Sequence, residues 1–75
     1  MFNQIVYLRG SYIRAQRQGL RADQPHALDA HHGRHVVRQV YGGELLLESL
    51  HAPGTLISVP ASAVWRTGER ACDLP

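Results

Sequence analysis

Apolar residues along this chain fall in short runs punctuated by glycine and proline, a pattern of strands and turns. Ile5, Val6, Tyr7 and Leu8 predict a strand over 4–9, and Gly10-Ser11 offers a two-residue turn into a second strand over 11–17. There Ile13 and Ala15 share one face while Tyr12, Arg14 and Gln16 share the other. Periodicity then lapses from Leu20 to Gly33, which reads as a long surface loop with one helical turn around Pro25 to Ala30. Further strands are predicted over 34–41 and 44–50, separated by Gly42-Gly43. The reversal His51-Ala52-Pro53-Gly54 leads into a strand over 55–59, which Pro60 stops because proline has no amide to donate. Ala61-Ser62-Ala63 is long enough for one 3₁₀ turn before Val64-Trp65-Arg66 extends again over 64–67.

A hairpin, a single helical turn and a last short strand make up the closing half of an SH3-like barrel. The fold class expected is therefore all-β, a small SH3-like barrel of five or six strands with one 3₁₀ turn. It forms a single domain over residues 1–67, with a frayed tail over 68–75. Three of the strands are apolar on both faces: Leu45 and Leu47 oppose Leu46 and Leu50, Leu56 opposes Ile57 and Val59, and Val36 and Val40 oppose Val37. A barrel of this size has one interior, so half of these side chains lie outside it. Either the N-terminal strand or the long loop folds over the outer set, or a second copy of the chain covers it. The expectation here is self-association through Leu46, Leu50, Ile57 and Val59, as a dimer or tetramer, since a domain of 75 residues gains stability by assembling.

Charge adds a second candidate surface. All eight basic residues are arginines, the net charge is only +2, and Arg9, Arg14, Arg17 and Arg21 precede the first acid, Asp23. With Tyr12 they form a candidate basic patch for an anionic partner, nucleic acid included. The bland alternative is a row of solvated strand-surface arginines. The single Cys72 excludes an internal disulfide, and no apolar run approaches the roughly 20 residues a membrane span needs. A cytoplasmic protein without membrane contact is expected.

The segment Glu48-Ser49-Leu50-His51-Ala52-Pro53-Gly54-Thr55-Leu56-Ile57-Ser58-Val59-Pro60-Ala61-Ser62-Ala63-Val64-Trp65-Arg66 resembles the closing part of the plasmid-borne, trimethoprim-insensitive type B dihydrofolate reductases. Members of that family run Glu-Ser, Pro-Gly, a strand ending in proline, an alanine-containing turn and a final arginine at the same spacing. Gly10-Ser11-Tyr12-Ile13-Arg14 is similar to their opening strand, so the resemblance spans about residues 10–66. It implies an SH3-like barrel that assembles as a tetramer around a pore for NADPH and dihydrofolate. The family's chemistry rests on a Val-Gln-Ile-Tyr strand and a lysine. Here Ile57 takes the glutamine position, Val59 the tyrosine position, and Ala15 or Gln16 the lysine position. Hydrocarbon in place of amide, hydroxyl and charge implies shared architecture without the reductase activity.

Other chemistry is sparse. His26, His31, His32 and His35 crowd the long loop, with His51 in a turn, but their spacing matches no zinc signature and they read as loop-surface histidines. No phosphate loop or nucleophile elbow is present, and Ser58 and Cys72 have no base assigned to them. The reading is a non-enzymatic binding or accessory protein, without cofactor or metal, from a phage, plasmid or gene cassette, acting on an unidentified host protein. The alternatives are a nucleic-acid-binding barrel using Arg9 to Arg21 and a divergent reductase.

Overall fold

The computed structural model describes residues 1–73. Five antiparallel strands form one sheet in the order β4-β3-β2-β1-β5: β1 (Gln4–Leu8), β2 (His35–Tyr41), β3 (Glu44–Ser49), β4 (Leu56–Pro60) and β5 (Val64–Arg70). The fold is mostly β, and the sheet does not close, since β4 and β5 each pair on one side only.

β2, β3 and β4 follow one another as a meander. Tyr41 faces Glu44 across the two-residue loop Gly42-Gly43, with Gly42 at φ +60°, a backbone state that only glycine enters without cost at the head of such a turn. The β3–β4 reversal is built around Ser49. Its buried hydroxyl accepts from the amides of His51 and Ala52, each at 3.2 Å, while the Glu48 carboxylate accepts from the Gly54 amide at 2.7 Å. Along β2 the register slips once between Val37 and Gln39, leaving Arg38 as an extra residue that turns to Glu48 at 2.6 Å.

The chain then passes from β4 at one edge of the sheet to β5 at the other through the 3₁₀ turn Ala61–Ala63 alone. Four inter-strand steps of about 4.8 Å would separate those edges by roughly 19 Å in a flat sheet. Three residues in a 3₁₀ turn rise only about 6 Å. The sheet is therefore curled strongly on itself at this corner. Inside the curl lie Val6, Leu8, Val37, Leu45, Leu47, Val59, Ala63 and Val64.

One predicted strand is a helix. Residues Gly10–Gln16, expected to be extended over 11–17, form α1. Arg14, Ala15 and Gln16 are strong helix formers, and Gly19, at φ +86°, stops the turn. Adjacent Tyr12 and Ile13 lean on the core from outside, so α1 caps the open end of the curl without burying any residue fully. The loop that follows adds the 3₁₀ segment Ala27–Ala30, whose Leu28 is buried in the same core. His26 caps it through Nδ1, which accepts from the Leu28 amide at 3.0 Å, and Asp29 returns a bond from the His26 amide at 2.8 Å. The tail expected to fray from 68 onward is instead ordered through Asp73. β5 runs to Arg70, which pairs with Gln4 across a bulge that includes Gly68, and Ala71–Asp73 form a last 3₁₀ turn. Leu74 and Pro75 lie outside the described residues.

Leu47→Ala, at the centre of the curl, is expected to cost about 2–5 kcal/mol, close to the whole stability of a domain this small. Leu56→Ala, half exposed on the β4 edge, should cost less than about 1 kcal/mol. Urea unfolding of the two variants checks the difference.

Candidate functional site

The four arginines expected to act as one patch have separate surroundings. Arg17, at the C-cap of α1, forms an ion pair with Asp29 and donates to the carbonyl of Gln24 at 3.2 Å and to that of Ala22 at 3.5 Å. It ties the loop back onto the helix, so its charge belongs to the fold. Arg21 stands 3.9 Å from Asp23, with both side chains almost fully solvated, a pairing of little energetic weight. Tyr12 packs against the core, half buried, and is not a free stacking face. Arg9 and Arg14 remain, with the Arg14 guanidinium folded back over Gly10.

Of the four arginines outside that run, two have acidic partners of their own. Arg34 pairs with Glu69 at 4.0 Å and Arg38 with Glu48, whose carboxyl is held below its usual range by the Gly54 amide and then by Arg38. Among the described residues, no carboxylate lies within 4 Å of the Arg9, Arg14, Arg66 or Arg70 guanidinium. Arg9 and Arg66 open on one cleft of about 530 Å³, lined also by Met1, Ala61, Val64 and Trp65. Most of the chain separates these two arginines in sequence, and the β1–β5 pairing, with Leu8 opposite Val64 and Val6 opposite Arg66, brings them together. Beside the cleft, Trp65 stacks on Tyr7 with ring centroids 4.6 Å apart and planes 13° from parallel, yet keeps 45% of its surface exposed. Uncompensated guanidiniums next to an exposed indole suit a ligand with phosphate oxygens and flat rings.

The apolar set assigned to self-association divides as well. Val59 is fully buried in the curl and cannot meet a partner, and Ile57 packs against the same core. Both faces of the strands are apolar partly because the fold covers them itself: Ile5 and Val36, paired in register on the side away from the core cluster, are fully buried too. Leu46 and Leu50 are partly buried. The exposed apolar residues in this part of the sheet are Val40, Tyr41 and Leu56, and Tyr41 shares a hydrogen bond of 2.9 Å with Ser58 across the strands. Ser58 thus has a phenol and no base as its partner.

The histidines are not simply loop-surface residues. His31 and His35 are buried and stacked at 5.2 Å, with His31 Nδ1 3.1 Å from His35 Nε2 and His35 Nδ1 3.1 Å from the Gly33 carbonyl. Their i, i+4 spacing around a glycine was the only sign in the sequence, and it does not distinguish a buried pair from two loop residues. Among the described residues, no three His, Cys, Asp or Glu side chains are placed to hold a metal ion.

Arg17→Ala should lower stability by about 1 kcal/mol through loss of its loop contacts. Arg14→Ala should leave it within about 0.5 kcal/mol. Equal losses in denaturant unfolding would mean that Arg17 holds nothing together. In comparisons with known proteins, no family model, no curated protein and no solved structure matched this chain.

Proposed function

We propose that this chain is a non-enzymatic binding module of SH3-like barrel type that holds single-stranded nucleic acid at the Arg9–Arg66–Trp65 cleft. The barrel reading draws support from the strand order and from the three-residue crossing that curls one sheet edge toward the other. The ligand reading is carried by one observation, two guanidiniums without carboxylate partners opening on one cleft beside a half-exposed indole. Arginine forks grip phosphate oxygens, and a ring face accepts any base, which favours an unpaired strand over a duplex whose bases are already stacked. On this reading the basic surface is formed by Arg9 and Arg66 rather than by the run from Arg9 to Arg21. A reductase is disfavoured by the β4 side chains. Ile57 and Val59 carry only hydrocarbon, and with Val59 sealed in the core and Ile57 packed against it neither is free to line a pore for a nicotinamide or a pterin.

Trp65 is the only tryptophan, so its fluorescence reports on the cleft directly. An oligonucleotide of about a dozen nucleotides should quench it at low salt, and affinity should fall as salt rises. Arg9→Ala and Arg66→Ala should each reduce the log–log slope by about 0.7, the value for one lost single-strand phosphate contact. Trp65→Ala should cost about 1–3 kcal/mol of binding. Absence of quenching at low salt, or preference for an acidic peptide over the oligonucleotide, defeats the proposal.

A second reading, self-association, is favoured by the unpaired edge of β4 and the exposed Leu56, Tyr41 and Val40 near it. Light scattering at tens of micromolar is expected to give at least a dimer mass, and Leu56→Glu a monomer. A monomeric mass for the unmodified chain removes this reading.

A further inference from the structure

Four of the five histidines meet at one corner of the fold. His31 and His35 stack inside it, while His32 and His51 face each other at 6.0 Å beside them. Gly33, between the two pairs, has φ +77°, and a Cβ there would fall 2.1 Å from His51 Nε2, so the His51 ring lies directly against the glycine. The corner joins two stretches distant in sequence: the end of the loop running into the first residue of β2, and the turn between β3 and β4.

The hydrogen bonds dictate where protons sit in the buried pair. The Gly33 carbonyl can only accept, so His35 Nδ1 carries a proton and donates to it. His35 Nε2 is then an acceptor, and His31 Nδ1, 3.1 Å away, is its donor. Both rings are neutral in this arrangement. One more proton has a place on the remaining nitrogen of His31, and the Leu56 carbonyl at the head of β4 favours the charged ring. A second has none. It would have to enter at His35 Nε2, setting two N–H donors against each other.

We propose that the His31–His35 pair is an acid-sensitive latch: while neutral it pins the 26–34 loop to β2 and to the head of β4, and when fully protonated it releases them. The surroundings oppose charging. Burial lowers the pKa of both rings, outweighing the carbonyls of Leu56 and Gly33 that favour the protonated forms. The titratable groups that face the pair are His32 from the loop and His51 from the turn, and positive charge on either opposes it further. Among the described residues, no counter-charge approaches from the other elements. Arg34 turns to Glu69 and Asp29 is held by Arg17, while across the strands His35 faces Val6 on β1 and Ser49 on β3.

The direction with pH follows. Folded-state values below the ordinary 6.5 mean that the unfolded chain binds protons first as pH falls. The latch is intact above about pH 6.5 and weakens as pH drops from there toward the folded-state values.

The test is amide hydrogen exchange on the full chain at pH 7 and pH 5, expressed as protection factors. Those of residues 26–34 and 50–56 should fall about tenfold or more, one titrating proton being worth tenfold per pH unit, while β1–β5 amides change much less. Unchanged protection, or an equal fall throughout the sheet, overturns the proposal. Long-range ¹H–¹⁵N spectra of the unmodified chain give an independent answer. His35 should be the Nδ1–H tautomer at pH 7, and both rings of the pair should titrate below free histidine. An Nε2–H tautomer, or ordinary titration of both, overturns it equally. His31→Gln keeps a donor toward His35 without titrating, and its amide oxygen can accept once His35 Nε2 is protonated, so it should cut the pH response at least in half; an undiminished response counts against the latch. The spectra decide the matter if that variant does not fold.

Discussion

The shortest connection in the chain sets the shape of the whole. Ala61–Ala63 must carry the backbone from one edge strand to the other, and no flat five-stranded sheet permits that. Pro60 fixes the place. It ends β4 because it cannot donate to a ladder, and its φ of −65° and ψ of 150° aim the chain into the turn. Once the edges are drawn together, alternate side chains of all five strands converge on one interior, and Val59, one residue before the proline, is sealed there along with Val64 just beyond the turn.

A sheet curled but not closed leaves an open side, and much of the remaining chain serves to cover it. α1 presents Tyr12 and Ile13 to the core, the 3₁₀ segment inserts Leu28, and Arg17 binds the loop between them. These elements have little secondary-structure stability of their own. A seven-residue helix is far below the length that persists alone in water, and its N-cap Arg9 makes no side-chain bond to the first turn. They persist because burying Leu28, Tyr12 and Ile13 completes a core that the strands only partly enclose. The sequence explains the cover only after the curl is known.

That order explains which parts were legible from residues alone. The turns at Gly42, Gly54 and Pro60 impose backbone geometry locally, so the strands they bound fell close to where the pattern put them. Ser11 to Arg17 offered no such punctuation until Gly19. Over seven residues, alternation of Ile13 and Ala15 is as compatible with a helix as with a strand, and the structure gives the helix. Apolar residues on both faces suggested a partner, and part of the explanation was internal: Ile5 and Val36 bury each other's flank of the sheet, and Val59 lies within. The candidate site was the least legible, because Arg9 and Arg66 become neighbours only through the β1–β5 ladder.

What an arginine does here depends on what the fold puts within reach of it, not on its place in a basic run. Arg17 and Arg38 each meet a carboxylate on another segment of chain at hydrogen-bond distance, and their charge helps hold those segments together, while Arg34 meets Glu69 only at 4.0 Å. With Asp29, Glu48 and Glu69 so engaged, a net charge of only +2 still leaves Arg9 and Arg66 on one cleft without a carboxylate partner among the described residues. The same logic governs the interior. Ser49 and His35 lie opposite each other inside the curl and would destabilise it if left unpaired, yet Ser49 accepts two amides and His35 is bonded at both nitrogens. Ser49 cannot titrate, so the turn it organises has no dependence on pH of its own. His35 can, and its bonds tolerate only one protonation pattern, which makes that end of β2 the part of the core where solvent conditions act on the fold.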